Sequence, residues 1–147
     1  MYERTFFITT VCHNRKPVFR LPSLAELFLD TIFTYRTKGK FLLHEFVIMP
    51  DHAHFILTPD IKIPMERAIQ FLKGGFSYRC NKEANFAGEI WQERPTDHRI
   101  RDDADYEHHR EYIHMSPVRA GLVANAADYP YSSASKRFKM DALPHQR

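Results

Sequence analysis

The chain predicts an α+β fold: an antiparallel sheet with helices packed on one face. Three observations carry this. The candidate elements run strand, helix, strand, strand, helix, strand, helix. Two apolar strand candidates meet at Pro50-Asp51, a turn dipeptide that makes them arms of a hairpin. Two helical stretches carry apolar residues three and four apart, the spacing of a face turned to a core.

Each element has its own signal. Residues 5–13 are β-branched and aromatic and read as a first strand, closed by the polar break Asn14-Arg15-Lys16-Pro17. Pro22-Ser23 opens a helix with Leu24, Leu27, Phe28, Thr31 and Ile32 on one side, ending at the basic Lys38-Gly39 stop. Phe41 to Met49 and His52 to Thr58 are the hairpin arms. A second helix spans about 64–82, striped by Met65, Ile69, Leu72 and Phe76; Gly74-Gly75 weakens it and leaves room for another backbone. A short strand lies around His98-Arg99-Ile100. A third helix covers about 102–115, with acidic residues at its positive end and Pro117 disrupting it after Ser116. Beyond Asn125 the chain reads as looser, and residues 136–147 as a flexible tail after one catalytic domain over 1–135.

Composition narrows the classes. At 147 residues and a formal net charge of +3, the chain can bury a core and is mildly basic, which permits nucleic-acid binding without arguing for it. Its apolar runs are too short for a bilayer, and its start lacks a signal-peptide core, so no membrane partner is expected. Cys12 and Cys80 lack metal or redox spacing and read as reduced thiols of a cytoplasmic protein.

The chemistry-bearing candidates cluster in two places. On a strand, His52 and His54 point to the same face with Ala53 turned away, their Cα atoms roughly 6–7 Å apart, so both imidazoles can converge on one divalent metal. On the third helix, His108, Tyr112 and Ser116 form one stripe at four-residue spacing, with His109 leaning towards Tyr112. A phenol with a pKa of about 10 needs a base or a polarised target to attack phosphorus, and a metal supplies the second. A tyrosine nucleophile keeps a cut strand end activated for rejoining, where water would lose it. Spacing alone also suits duller roles: hydrogen-bonded histidines, a rim tyrosine, a solvated face over 106–111 and a core anchor at Trp91.

Several motifs in succession are more specific. They are Val47-Ile48-Met49-Pro50-Asp51-His52-Ala53-His54, then Phe71-Leu72-Lys73 to Tyr78-Arg79, then Ile90-Trp91-Gln92, then Tyr112-Ile113-His114-Met115-Ser116-Pro117-Val118-Arg119-Ala120-Gly121-Leu122-Val123. This order resembles the single-tyrosine HUH transposases of small insertion sequences, in particular the REP-associated tyrosine transposases, over roughly residues 3–135. The resemblance implies a ferredoxin-like fold and cleavage and rejoining of single-stranded, hairpin-containing DNA through a 5′-phosphotyrosine. It implies Tyr112 as nucleophile and His52 and His54 as ligands of magnesium or manganese. It also implies cytoplasmic action and a monomer in preference to a dimer.

One departure concerns the third ligand. The family commonly has an amide four residues after the tyrosine, and here that position is Ser116, a shorter and weaker ligand, with His108 one turn earlier as a substitute. A domesticated module that grips structured DNA with weak or lost catalysis is the alternative reading. A cupin-type metalloenzyme fits poorly, because the expected downstream glutamate is missing after Phe55-Ile56-Leu57-Thr58.

Overall fold

A computed structural model describes residues 2–146. The elements follow in the expected order: β1 (Phe6–Val11), α1 (Pro22–Thr37), β2 (Phe41–Met49), β3 (His52–Pro59), α2 (Met65–Ala84), β4 (Thr96–Arg99) and α3 (Asp103–Arg119), with short 3-10 turns around them. The strands form an antiparallel sheet in the order β2-β3-β1-β4. No helix among the described residues is long and apolar enough to cross a membrane.

Both edges of β3 are hydrogen-bonded, so its two side-chain sets face two different layers. Ala53, Phe55 and Leu57 join Ile8, Phe46 and Ile48 in a core closed by Phe28 and Ile32 of α1 and Leu72 and Phe76 of α2. Trp91 anchors this core, its ring against Phe19, Phe28 and Phe76 and its Nε1 donating to the Lys73 carbonyl at 3.0 Å. Cys12 and Cys80 are free and buried; burial raises both thiols above their usual range, that of Cys12 to about 12, leaving them unreactive.

The opposite face departs from the expectation that all helices share one side. Only α1 and α2 do. Ile113 of α3 packs with Val47, Met49 and Ile56 in a second, smaller cluster, completed by Tyr129 and Leu143. The physical reason is polarity: the buried residues of α3 are Asp105, Ile113, Ser116 and Pro117, too few apolar groups to compete for the main core. A register shift between Leu43 and Glu45 makes room for it. The extra residue flips the alternation of β2, so Leu43, Phe46 and Ile48 share the main core while Val47 and Met49 join the second cluster.

Two further expectations change. Pro117 does not end the third helix, which continues to Arg119. The proline forfeits its own N–H, and with it the helical donor to the Ile113 carbonyl, but it falls in the last turn, which closes beyond it: the N–H groups of Ala120, Gly121 and Leu122 donate to the carbonyls of Ser116, Val118 and Pro117 at 3.0, 3.0 and 2.9 Å. The described part of the tail is docked rather than loose. Asp141 receives both Nε and Nη2 of Arg36 at 2.9 and 2.8 Å and exchanges hydrogen bonds with the Leu43 backbone, while Phe138 stacks on Phe33 and Leu143 is buried. Together with Ser132 and Tyr131, which bond to Val47 and Ile48, this segment covers the open edge of β2.

The glycine pair of α2 splits in role. A Cβ on Gly75 would lie 2.6 Å from the Tyr35 ring, which stacks on Phe71, whereas one on Gly74 meets nothing within 4 Å. Gly74→Ala is therefore expected to raise unfolding stability by up to about 1 kcal/mol through helix propensity. Gly75→Ala should lose that gain by forcing Tyr35 off Phe71. Parallel thermal melts of the two variants check the contrast.

Candidate active site

The even-numbered residues of β3 place His52 and His54 on the α3 side of the sheet, rings 4.8 Å apart and inclined by 74°. Each imidazole already has its Nδ1 engaged. His52 Nδ1 lies 2.6 Å from Asp51 Oδ1, and the other Asp51 oxygen is 3.5 Å from Arg15 Nη1. Burial would raise the Asp51 carboxyl, but the His52 hydrogen bond and the charges of His52 and Arg15 outweigh it and hold the group below its usual range. Arg15 and Asn14 both adopt left-handed backbone, φ 55° and 54°, where the chain turns from β1 towards the cleft.

His54 Nδ1 is 2.8 Å from Thr9 Oγ1, its cross-strand neighbour on β1. Its Nε2 is buried and finds no hydrogen-bond partner among the described residues. Burial, then the charges of His52, Arg119 and Arg15, push the His54 pKa down to about 3, so the ring is neutral at physiological pH. A buried imidazole nitrogen without a partner is costly to leave bare, and a neutral one whose other nitrogen is fixed is an oriented metal ligand. The residues present therefore fit a divalent cation.

Tyr112 crosses above this pair. Its ring centroid is 5.2 Å from that of His54 and 6.2 Å from that of Phe7, both edge-on. The Arg119 guanidinium sits 4.8 Å over its face. The residue stays 43% exposed, open to a large substrate. Phe7, Thr9, Val11, Arg15, His52, His54, His108, His109 and Tyr112 wall a cleft of about 450 Å³. Of the residues expected from sequence, His52, His54, Tyr112 and His108 thus come together. Ser116 does not line this cleft: it is buried, with its hydroxyl proton given to the Tyr112 carbonyl.

Sequence reasoning missed Phe7, Thr9, Arg15, Asp51 and Arg119. Arg119 follows Tyr112 by seven residues, a spacing that marks one helical face, and Asp51 is the neighbour of His52. Phe7 and Thr9 carry no local signal, because the β1–β3 register that brings them in is a tertiary fact.

The polar helix α3 is held down at two points. In its middle, Glu45 beside the bulge of β2 accepts from His114 Nε2 at 2.6 Å and Ser133 Oγ at 2.7 Å, and faces Arg110 Nε and the Tyr106 hydroxyl at 3.5 Å. Near its start, Asp105 gathers His98 Nε2 of β4 at 2.7 Å, His109 Nδ1 at 3.2 Å and the Arg101 N–H at 3.0 Å. Burial would raise the Asp105 carboxyl, but the hydrogen bonds from His98 and Arg101 and the charge of His98 bring it down to about 2. His98, Asp105 and His109 form a His/Asp group with metal-ligand proximity, their donor atoms within 4.8 Å of one another.

The chain belongs to the IS200-like transposase family: a family model described as "Transposase IS200 like" matches residues 1–116. It is accordingly a transposase, of the class of enzymes that cleave and join DNA. Its similarity is to the REP-associated branch. A REP-associated tyrosine transposase of Escherichia coli (strain K12) is 29% identical over 130 residues, covering 88% of this chain and 75% of that protein. A Haemophilus influenzae protein provisionally assigned to the same group is 34% identical over 107 residues, 66% of this chain and 61% of its own length. The solved structure of a REP-associated tyrosine transposase bound to a REP hairpin superposes with a TM-score of 0.77 at 26% identity, covering 97% of this chain and 87% of that one.

Glu45 gives a signed expectation. Burial opposes its ionised form, but the His114 and Ser133 hydrogen bonds and the His114 and Arg110 charges outweigh burial and lower its pKa. A carboxyl lowered in the folded state stabilises above its unfolded pKa of about 4.3, and that contribution is lost as pH falls through the folded value. Glu45→Gln should thus be less stable than the parent at pH 7, with the gap narrowing as pH falls below about 4. Urea unfolding of both proteins between pH 3 and 7 measures it.

Proposed function

We propose that this transposase cuts and rejoins single-stranded, hairpin-containing DNA by transesterification at Tyr112. The phenol gives up its proton as its oxygen attacks phosphorus, the bond from phosphorus to the 3′-oxygen breaks, that oxygen takes up a proton to become a 3′-hydroxyl, and the strand is left on the tyrosine as a 5′-phosphotyrosine. A 3′-hydroxyl returning to the same phosphorus reverses the step and reseals DNA. The edge-on approach of Tyr112 to His54 in one cleft supports this reading. So does the hairpin held by the structural relative of TM-score 0.77.

His52 and His54 would hold magnesium or manganese through their Nε2 atoms, and the partnerless, buried Nε2 of His54 is the observation that carries this. Such an ion draws charge from a phosphate oxygen and so makes phosphorus a better target. Asp51 and Thr9 fix the two rings through Nδ1, which keeps both Nε2 atoms available. His108 lines the cleft and Ser116 does not, but the donor atoms of His52, His54 and His108 are not gathered at metal-ligand distance, so the pair alone is assigned to the ion. Arg15 at the cleft wall supplies positive charge to the incoming backbone, and Arg119 holds the nucleophile's ring. That Tyr112 meets His54 of its own chain supports a monomer in preference to a dimer. The protein would act in the cytoplasm, on chromosomal hairpin repeats.

The test is a denaturing gel of the protein with labelled single-stranded hairpin oligonucleotides and Mn²⁺. A covalent protein–DNA band is expected, reduced at least about a thousandfold by Tyr112→Phe and abolished by chelator. Undiminished cutting by Tyr112→Phe would end the tyrosine mechanism. A gel shift on the same hairpins without any covalent band would make the protein a DNA-binding module instead.

A further inference from the structure

Behind the cleft lies a second set of donor atoms that the tyrosine chemistry does not use. His98 comes from β4, and Asp105 and His109 from α3 at four-residue spacing, so two elements contribute. The Asp105 carboxylate sits between the imidazoles, 2.7 Å from His98 Nε2 and 3.2 Å from His109 Nδ1. We propose that His98, Asp105 and His109 form a second metal site, specific for a borderline transition-metal ion such as Zn²⁺ and separate from the His52–His54 pair.

The geometry is close to what such an ion needs. Tetrahedral ligands at 2.0–2.1 Å from zinc stand roughly 3.3 Å from one another. The three donors lie within 4.8 Å of one another, and an ion would replace their present hydrogen bonds, His98 Nε2 to the carboxylate at 2.7 Å and His109 Nδ1 to the Asp105 carbonyl at 2.8 Å. The carboxylate is already oriented by the Arg101 N–H at 3.0 Å, and the His109 ring is seated on Phe7, centroids 4.6 Å apart. Asp105 is 8% exposed, while the His98 side chain is 38% exposed and leaves a path for the ion and for a water as fourth ligand. The neighbouring cation Arg101 approaches to 3.4 Å, but its side chain is 71% exposed and free to swing away. With no substrate phosphate here to add oxygen ligands, unlike the cleft, two imidazoles and one carboxylate favour zinc, cobalt or nickel over magnesium, which prefers oxygen ligands in an octahedron.

Such an ion would tie β4 to the first half of the tyrosine helix. His109 is also part of the cleft wall, so the tie would stiffen the floor behind Tyr112.

Calorimetric titration of untagged protein with Zn²⁺ tests the site. The His52→Ala/His54→Ala double variant lacks the cleft pair and is expected to keep one equivalent of tight Zn²⁺ binding, with its melting midpoint raised by roughly 5–10 °C at saturation. Adding His98→Gln, on the exposed sheet edge, should remove both effects, and Mg²⁺ should produce neither. Failure of the folded double variant to bind Zn²⁺ would overturn the proposal. Should that variant not fold, His98→Gln in the otherwise unchanged protein decides: it must bind one equivalent fewer than the parent, and equal stoichiometry refutes the site. A cleft pair that proves metal-free would lower the parent to one equivalent, lost with His98→Gln, and would count against the catalytic reading alone.

Discussion

Side-chain alternation along β3 couples the core of this protein to its site. The strand is flanked by β1 and β2 and cannot slide without breaking two ladders. With Ala53, Phe55 and Leu57 committed to the aromatic core under α1 and α2, His52 and His54 have only the opposite face available. A slip of one residue would turn the two imidazoles into the aromatic core and turn Phe55 and Leu57 out to the other face. The apolar burial that fixes the fold thus also fixes the direction of the catalytic candidates, and does so before any metal or DNA arrives.

The second constraint is how a polar helix stays on that face. Ile113 is its main apolar contact with the sheet, and so α3 depends on charged and hydrogen-bonded partners at defined places. Glu45 in the middle and Asp105 near the start each gather several donors. Buried carboxylates with fixed partners are poor sources of net stability but strict about geometry, since a shifted helix would strand them unpaired. Geometry is what the proposed tyrosine nucleophile beside the histidine pair requires. The bulge of β2 belongs to the same arrangement, because in a regular strand counted on from Leu43 the side chain of Glu45 would share the main-core face of Leu43 and not face α3.

Where the chain obeyed local rules, its structure was legible. The stripe of Leu24, Phe28 and Ile32 gave α1, the Pro50-Asp51 turn gave the hairpin, and the His52-Ala53-His54 alternation gave a shared face. Where tertiary contacts replace local ones, the reading changed. Pro117 looked like a stop because the preceding residue is normally driven out of the helix, yet the helix runs on to Arg119 and is closed by the N–H groups of Ala120, Gly121 and Leu122 on the Ser116, Val118 and Pro117 carbonyls. Residues 136–146 looked loose because they lack periodicity, yet Arg36 and the β2 edge hold them.

By itself the sequence determined the element order, the parity of the two histidines and the helical stripe that carries Tyr112, because these follow from periods of 2 and 3.6 residues along one chain. It also placed the chain within its family, since the motifs around the histidine pair and the tyrosine lie in one order. Tertiary structure alone decided that α3 lies opposite the other helices and that Thr9 and Phe7 complete the site. It alone decided that His108 rather than Ser116 reaches the cleft, and that His98 meets Asp105 and His109. These depend on strand register, on a bulge and on where buried charges find partners, and no local spacing encodes any of the three.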